Sequence, residues 1–169
     1  RGSGRYRKTS EIELNVPAGI DNGQVLRVGG EGDAGINGGG SGDLNVAVSV
    51  KPHDLFTRNG VDIYCEVPIT YAQAVLGATI TVPTIDGKVE YEISEGTQSG
   101  TKFRLRGKGV KYIGREAYGD QYVTVVVEVP KKLTKQQKEL LQKFDDSLEE
   151  KNQAKRQSFF EKLRRKFEQ

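Results

Sequence analysis

Tryptophan and methionine are absent from this chain of 169 residues, and cysteine and histidine occur once each. A lone cysteine, Cys65, closes no internal disulfide, so a reducing compartment, the cytoplasm, suits the chain. A lone histidine, His53, excludes a multi-histidine metal site and a catalytic triad; beside Pro52 it reads as a junction residue. No apolar run approaches the roughly 20 residues needed to span a bilayer, and nothing at the start resembles a signal peptide. A soluble protein without a membrane partner is expected.

Proline and glycine are unevenly spread. All 21 glycines lie at or before Gly119, and no proline follows Pro130. Turn-rich β sequence therefore gives way to helix-forming sequence near Pro130. Charge divides at the same place: residues 1–130 hold 14 Lys/Arg against 16 Asp/Glu, and residues 131–169 hold 12 against 7. The net charge of +3 belongs to the tail.

Within the β part, two stretches repeat at a constant offset of 77 residues. Val16–Gly32 lies over Ile93–Gly109, and Gly42–Val50 over Gly119–Val127, without a gap. Gly19/Gly96, Gly23/Gly100, Arg27/Arg104, Gly30/Gly107, Gly32/Gly109 and the pair Asp43/Asp120 match. These are turn and strand-start residues, with no nucleophile, base or metal ligand among them. A β unit used twice without a reactive centre points to binding rather than catalysis. The segment from Asp54 to Gly87 has no counterpart in the first copy, which predicts an incomplete first sheet.

Alternation in Glu11–Val16 puts Ile12, Leu14 and Val16 on one face of a predicted strand. Asp21-Asn22-Gly23 supplies a turn, Val25, Leu26 and Val28 open a second strand, and a third runs from Leu44 to Val50. Gly29–Gly42 is a flexible loop. In the second copy Asn59-Gly60 is a turn, Ile63–Ile69 a strand, Tyr71–Leu76 a short helix and Ile80–Glu92 a hairpin around Asp86-Gly87.

From Thr134, a candidate N-cap, the period changes to 3.6. Leu140, Leu141, Phe144 and Leu148 form one apolar stripe, and Phe159, Phe160, Leu163 and Phe167 a second. Such stripes mark contacts, either with a second copy of the chain or with the β unit.

Other motifs resolve into structural readings. Gly30-Glu-Gly-Asp-Ala-Gly35 has the spacing of a dinucleotide loop, but no helix pattern follows to hold a pyrophosphate. Cys65 has no histidine nearby in sequence to activate it and reads as a core residue. Asp43 and Asp120 occupy equivalent strand starts and read as turn residues, not as an acid/base couple. The basic tail could suggest nucleic acid or an anionic membrane, but it intersperses acids with its cations around an apolar stripe, as solvated helices do, so nucleic-acid or polyanion binding is the lesser reading.

Taken together, Val16-Pro-Ala-Gly-Ile-Asp-Asn-Gly-Gln24, Gly30–Gly35, Gly42-Asp-Leu44, Val50-Lys-Pro-His53, Leu55-Phe-Thr-Arg-Asn-Gly60, Val82-Pro-Thr-Ile-Asp-Gly87 and Phe103-Arg-Leu-Arg-Gly-Lys-Gly109 resemble the C-terminal region of DnaJ-type co-chaperones. Arg1-Gly2-Ser3-Gly4 resembles the end of the family's last Cys-x-x-Cys-x-Gly-x-Gly repeat. The resemblance implies a mostly β fold of two tandem β-sandwich-like domains, the first truncated, followed by amphipathic helices. Residues 1–53 would be the remainder of the first C-terminal β domain, 54–130 the second, and 131–169 a helical dimerisation or docking segment. Zinc would belong to a region upstream of this chain, so no cofactor or metal is expected here. The J domain that stimulates a DnaK-type ATPase is not in this sequence, and Pro52-His53-Asp54 has the wrong order for its motif.

The same resemblance implies a function: holding unfolded, apolar polypeptide segments for a DnaK-type chaperone, without enzymatic activity, as a homodimer. Ile12 and Val46 align with the family's client pocket, and Leu14, Val28 and Leu44 support it or form the adjacent core. With other pocket walls missing, the expectation is that clients bind weakly or that a neighbouring chain fills the site. A purely structural dimerisation module is the alternative.

Overall fold

The computed structural model describes residues 9–35 and 38–167. The Arg1–Gly4 stretch singled out above lies outside them. The chain forms two compact units, one ending at Glu128 and the other starting at Val129. The first is β-rich and the second helical.

Among the described residues, eight strands form three sheets. β1 (Val25–Val28) and β2 (Leu44–Ala47) pair antiparallel, with Leu26 opposite Val46 and Val28 opposite Leu44. β3 (Thr57–Asn59), β4 (Asp62–Thr70), β7 (Lys102–Leu105) and β8 (Gln121–Glu128) make a four-stranded sheet in the order β3-β4-β8-β7. β5 (Ala78–Thr84) and β6 (Gly87–Ile93) form a hairpin. Between β4 and β5 lies α1 (Tyr71–Leu76), started by Thr70, whose hydroxyl accepts from the Gln73 amide while the Gln73 side chain accepts from the Thr70 amide.

Period-two alternation explains the packing. Ile63, Cys65, Val67 and Ile69 of β4 point inward with Val123 and Val125 of β8, and Ile80, Val82 and Ile93 of the hairpin close over them. Ala74 of α1 completes this buried cluster, and the rings of Tyr91 and Phe103 stack beside it at 3.7 Å. β4 and β8 run parallel, a pairing that requires the long crossover of residues 71–120.

The 77-residue repeat is realised bond by bond. The Gly23 amide donates to the Val48 carbonyl at 2.9 Å, as Gly100 does to Val125 at 2.7 Å; Gly32 donates to Gly42 at 2.7 Å, as Gly109 does to Gly119 at 2.9 Å. Asp43 Oδ1 accepts from the Gly30 amide at 3.1 Å, and Asp120 Oδ1 from Gly107 at 2.9 Å. Both carboxylates also pair with the matching arginine, Arg27 or Arg104. They brace turns, as the sequence predicts.

Two strand expectations are corrected. Glu11–Val16 forms no strand. At the repeat offset it corresponds to β6, which is a strand because β5 supplies a backbone partner to each of its residues; no strand pairs with 11–16 among the described residues. The strand predicted over Leu44–Val50 ends as a regular ladder at Ala47. Beyond it Val48 bonds to the turn residues Gly23 and Gln24, and the Val50 amide donates to the Asn22 side chain at 3.0 Å.

The helical unit contains α2 (Lys135–Ser147), a 3-10 turn (Glu150–Gln153) and α3 (Ala154–Phe167). Thr134 caps α2 reciprocally with Gln137, as its position predicts. No residue of α2 or α3 is buried.

Candidate functional site

Among the described residues, the first copy of the repeat is an open version of the second. On the hairpin β1–β2, Leu26, Val28, Leu44 and Val46 alternate onto one face and are all half-buried. Their counterparts at the 77-residue offset are Phe103, Leu105, Gln121 and Val123; the last two are completely buried. Val123 is buried because β4 flanks β8 on one side and the β5–β6 hairpin covers its inner face. β2, the counterpart of β8, has β1 as its one neighbour among the described residues.

Of the five residues singled out in the sequence, the structure brings three together: Val28, Leu44 and Val46 share the hairpin face. Ile12 and Leu14 lie in the extended segment before Pro17, outside any strand; Ile12 is 37% exposed and Leu14 half-buried. Their counterparts Val89 and Tyr91 pack against the second copy's core. Leu26 joins this face, directly opposite Val46, although the family alignment did not single it out. The offset would have found it, because it places Leu26 over Phe103.

This arrangement suits recognition of extended polypeptide. An unpaired strand edge offers main-chain donors and acceptors to any sequence, and the apolar side chains beside it discriminate by size.

The polar residues weighed earlier do not converge on a reacting centre. His53 Nδ1 accepts from the Leu55 amide at 3.0 Å, and its ring lies 4.8 Å from Phe56. Cys65 is buried in the core; burial pushes its thiol pKa up, and a hydrogen bond from Gln121 partly opposes this. No group of three or more His, Cys, Asp or Glu able to hold a metal occurs among the described residues. Among the described residues no α-helix follows Gly30–Gly35 before β2.

In the tail, Leu140, Leu141 and Phe144 are exposed on α2, with Leu148 half-buried at its C-terminal cap. Phe159, Phe160, Leu163 and Phe167 are exposed on α3. No described helix is long and apolar enough to cross a membrane.

A duplicated β scaffold with one closed and one open copy, followed by an amphipathic helical unit, is the class of protein that fold and site define. Residues 4–130 match the family model described as DnaJ C terminal domain, and residues 136–169 the one described as Chaperone protein DnaJ C-terminal region. The chain is 51% identical over 163 residues to the Chaperone protein DnaJ of Ruminiclostridium cellulolyticum, covering 96% of this chain and 43% of that relative. It is 52% identical over 167 residues to the Chaperone protein DnaJ of Parageobacillus thermoglucosidasius, covering 98% and 44%. This chain belongs to the DnaJ C-terminal domain family, a family of chaperones rather than enzymes. It spans less than half the length of the curated relatives it matches.

Proposed function

We propose that the chain holds extended, apolar segments of unfolded client polypeptides on the β1–β2 hairpin and delivers them, within a cytoplasmic parent protein, to a DnaK-type ATPase chaperone. One observation carries this reading: Leu26, Val28, Leu44 and Val46 are half-buried on a hairpin with an open β2 edge, where the second copy buries Gln121 and Val123 completely. The reading needs no cofactor in this chain.

The test is fluorescence anisotropy of a labelled, leucine-rich peptide titrated with the chain and with its Val46→Asp variant, at low and high salt. Binding that survives salt and is lost in the variant supports the hairpin as client site, because apolar burial is not screened by ions whereas charge contacts are. Binding erased by salt and indifferent to Val46 leaves a polyanion binder or a scaffold.

Dimerisation is the second part of the proposal. The α2 stripe of Leu140, Leu141, Phe144 and Leu148 is the half of the tail suited to a like partner, because α2 carries three Lys against three acids. Like copies therefore meet there without net repulsion, and two weak client sites on one dimer act together.

A further inference from the structure

Residues 129–133 belong to no helix or strand and lead the helical unit ahead of the Thr134 cap. Val129 is 75% exposed, and Pro130, Lys131 and Lys132 are exposed with it. Neither lysine makes a hydrogen bond or ion pair among the described residues. Lys132 is also the one described residue other than glycine with a positive φ, 56°, a conformation that crowds its β-carbon.

An endopeptidase takes its substrate as an extended strand and cuts beside a chosen side chain, so a folded chain is cut where side chain and backbone are both available. Every other described lysine or arginine fails one of these conditions. Arg27, Arg58, Lys88, Lys102 and Arg104 lie in strand ladders, and those from Lys135 onward lie in α2, the 3-10 turn or α3. Lys51 precedes Pro52, whose ring removes the amide N–H and restricts the backbone at that bond. After Arg106, Lys108 and Lys111 the next amide is already hydrogen-bonded: Gly107 donates to Asp120 Oδ1 at 2.9 Å, Gly109 to the Gly119 carbonyl at 2.9 Å and Tyr112 to the Ala117 carbonyl at 2.8 Å. Arg115 lies inside the tight loop that this last bond closes, beside Gly114 at φ 72°.

We infer that Lys131-Lys132 is a release site, at which an endopeptidase selecting Lys or Arg severs the helical unit from an intact β-rich unit. One water is consumed: as the peptide C–N bond breaks, its hydroxyl joins the lysine carbonyl carbon to make the new carboxyl terminus, and its remaining hydrogen goes to the new amino terminus. Pro130 presents Lys131 with its own φ held at about −65°. Turning Lys132 into an extended strand breaks no hydrogen bond and relieves its left-handed backbone. The β-rich unit keeps its core, because the buried cluster and the residues packed on it run from Phe56 to Val127, and no residue of α2 or α3 is buried. What leaves is the amphipathic tail. On the dimer reading proposed above, on which this consequence alone rests, release turns a two-site assembly into single client sites.

The test is digestion of the whole chain in native buffer with a low ratio of trypsin, followed by intact mass over time. Cutting after Lys131 or Lys132 should give the first complementary pair of fragments, at least about tenfold faster than cutting at any other described basic residue, because those sites wait on local opening. Lys131→Gln combined with Lys132→Gln should abolish that pair while later cuts keep their rates. First cutting at another described site, an unchanged first cut in the double variant, or a β fragment degraded as fast as it forms overturns the inference. Light scattering on the products reads the consequence separately: a β fragment that separates as a monomer supports it, and an assembly that keeps its number of β-rich units after release overturns it.

Discussion

Arg58 donates through Nη2 to the carbonyl oxygen of Gly19 at 2.8 Å, and so reaches from the second copy of the repeat into the first. Its Nη1 donates to the Ile20 carbonyl at 2.7 Å, and its Nε to the Gly60 carbonyl at 2.7 Å in its own turn. Asp21 lies 3.7 Å from the same Nε. One half-buried guanidinium thus joins the Pro17–Asp21 turn to the β3–β4 turn.

Arg58→Ala should destabilise the β-rich unit by about 2 kcal/mol, the scale of losing charge-assisted hydrogen bonds that leave carbonyls unpaired. Urea denaturation measures the loss. Hydrogen exchange places it: amides of β1 and β2 should exchange faster while those of β4 and β8 hold. Uniform acceleration through both copies would show that Arg58 is not their joint.

Gly19 and its counterpart Gly96 both have positive φ, 92° and 73°. A β-carbon on Gly19 would collide with the Lys111 carbonyl, whereas one on Gly96 meets nothing within 4 Å. Gly96→Ala should therefore cost about 1 kcal/mol, the left-handed conformation alone. Gly19→Ala should cost about 2 kcal/mol more, because backbone must shift. Equal losses in denaturant unfolding would show that the Gly19 turn is free of the second copy.

Cys65 gives a pH dependence of definite sign. Burial raises the thiol pKa in the folded state, against the smaller opposing effect of the Gln121 hydrogen bond. The folded state therefore holds the proton more tightly than the unfolded state. Stability is unaffected below the unfolded thiol pKa of about 8.5 and falls as pH rises above it toward the folded value. Denaturation midpoints of the chain and of Cys65→Ala, compared from pH 7 to 10, should converge at the alkaline end. A constant difference would mean that the thiol titrates alike in both states.

Local signals were readable in the sequence. Tyr71–Leu76 and the start of α2 follow from Thr and Gln three positions apart, a cap that needs nothing distant. The repeat offset located both Gly-Asp turns, and the family resemblance pointed to Val28, Leu44 and Val46, which share the hairpin face. What a segment pairs with was not readable. Ile12 and Leu14 alternate as a strand does, yet a ladder requires a neighbour. The parallel partner of β4 lies beyond the crossover of residues 71–120, and no pattern within Asp62–Thr70 specifies it. Leu26 escaped the candidate site because family likeness was followed there instead of the internal offset.

The parallel pairing of β4 with β8 also orders events in time. During synthesis β4 emerges before β8, and among the described residues the strand that precedes it and lies beside it in the finished sheet is the three-residue β3. Until Gln121–Glu128 has been made, the nine residues of β4 have no partner among the described residues on one edge, and Val67 and Ile69 lack Val125 and Val127 alongside. Closing that long loop is the slow step in such topologies, and the waiting edge is the part of the nascent chain most open to wrong partners.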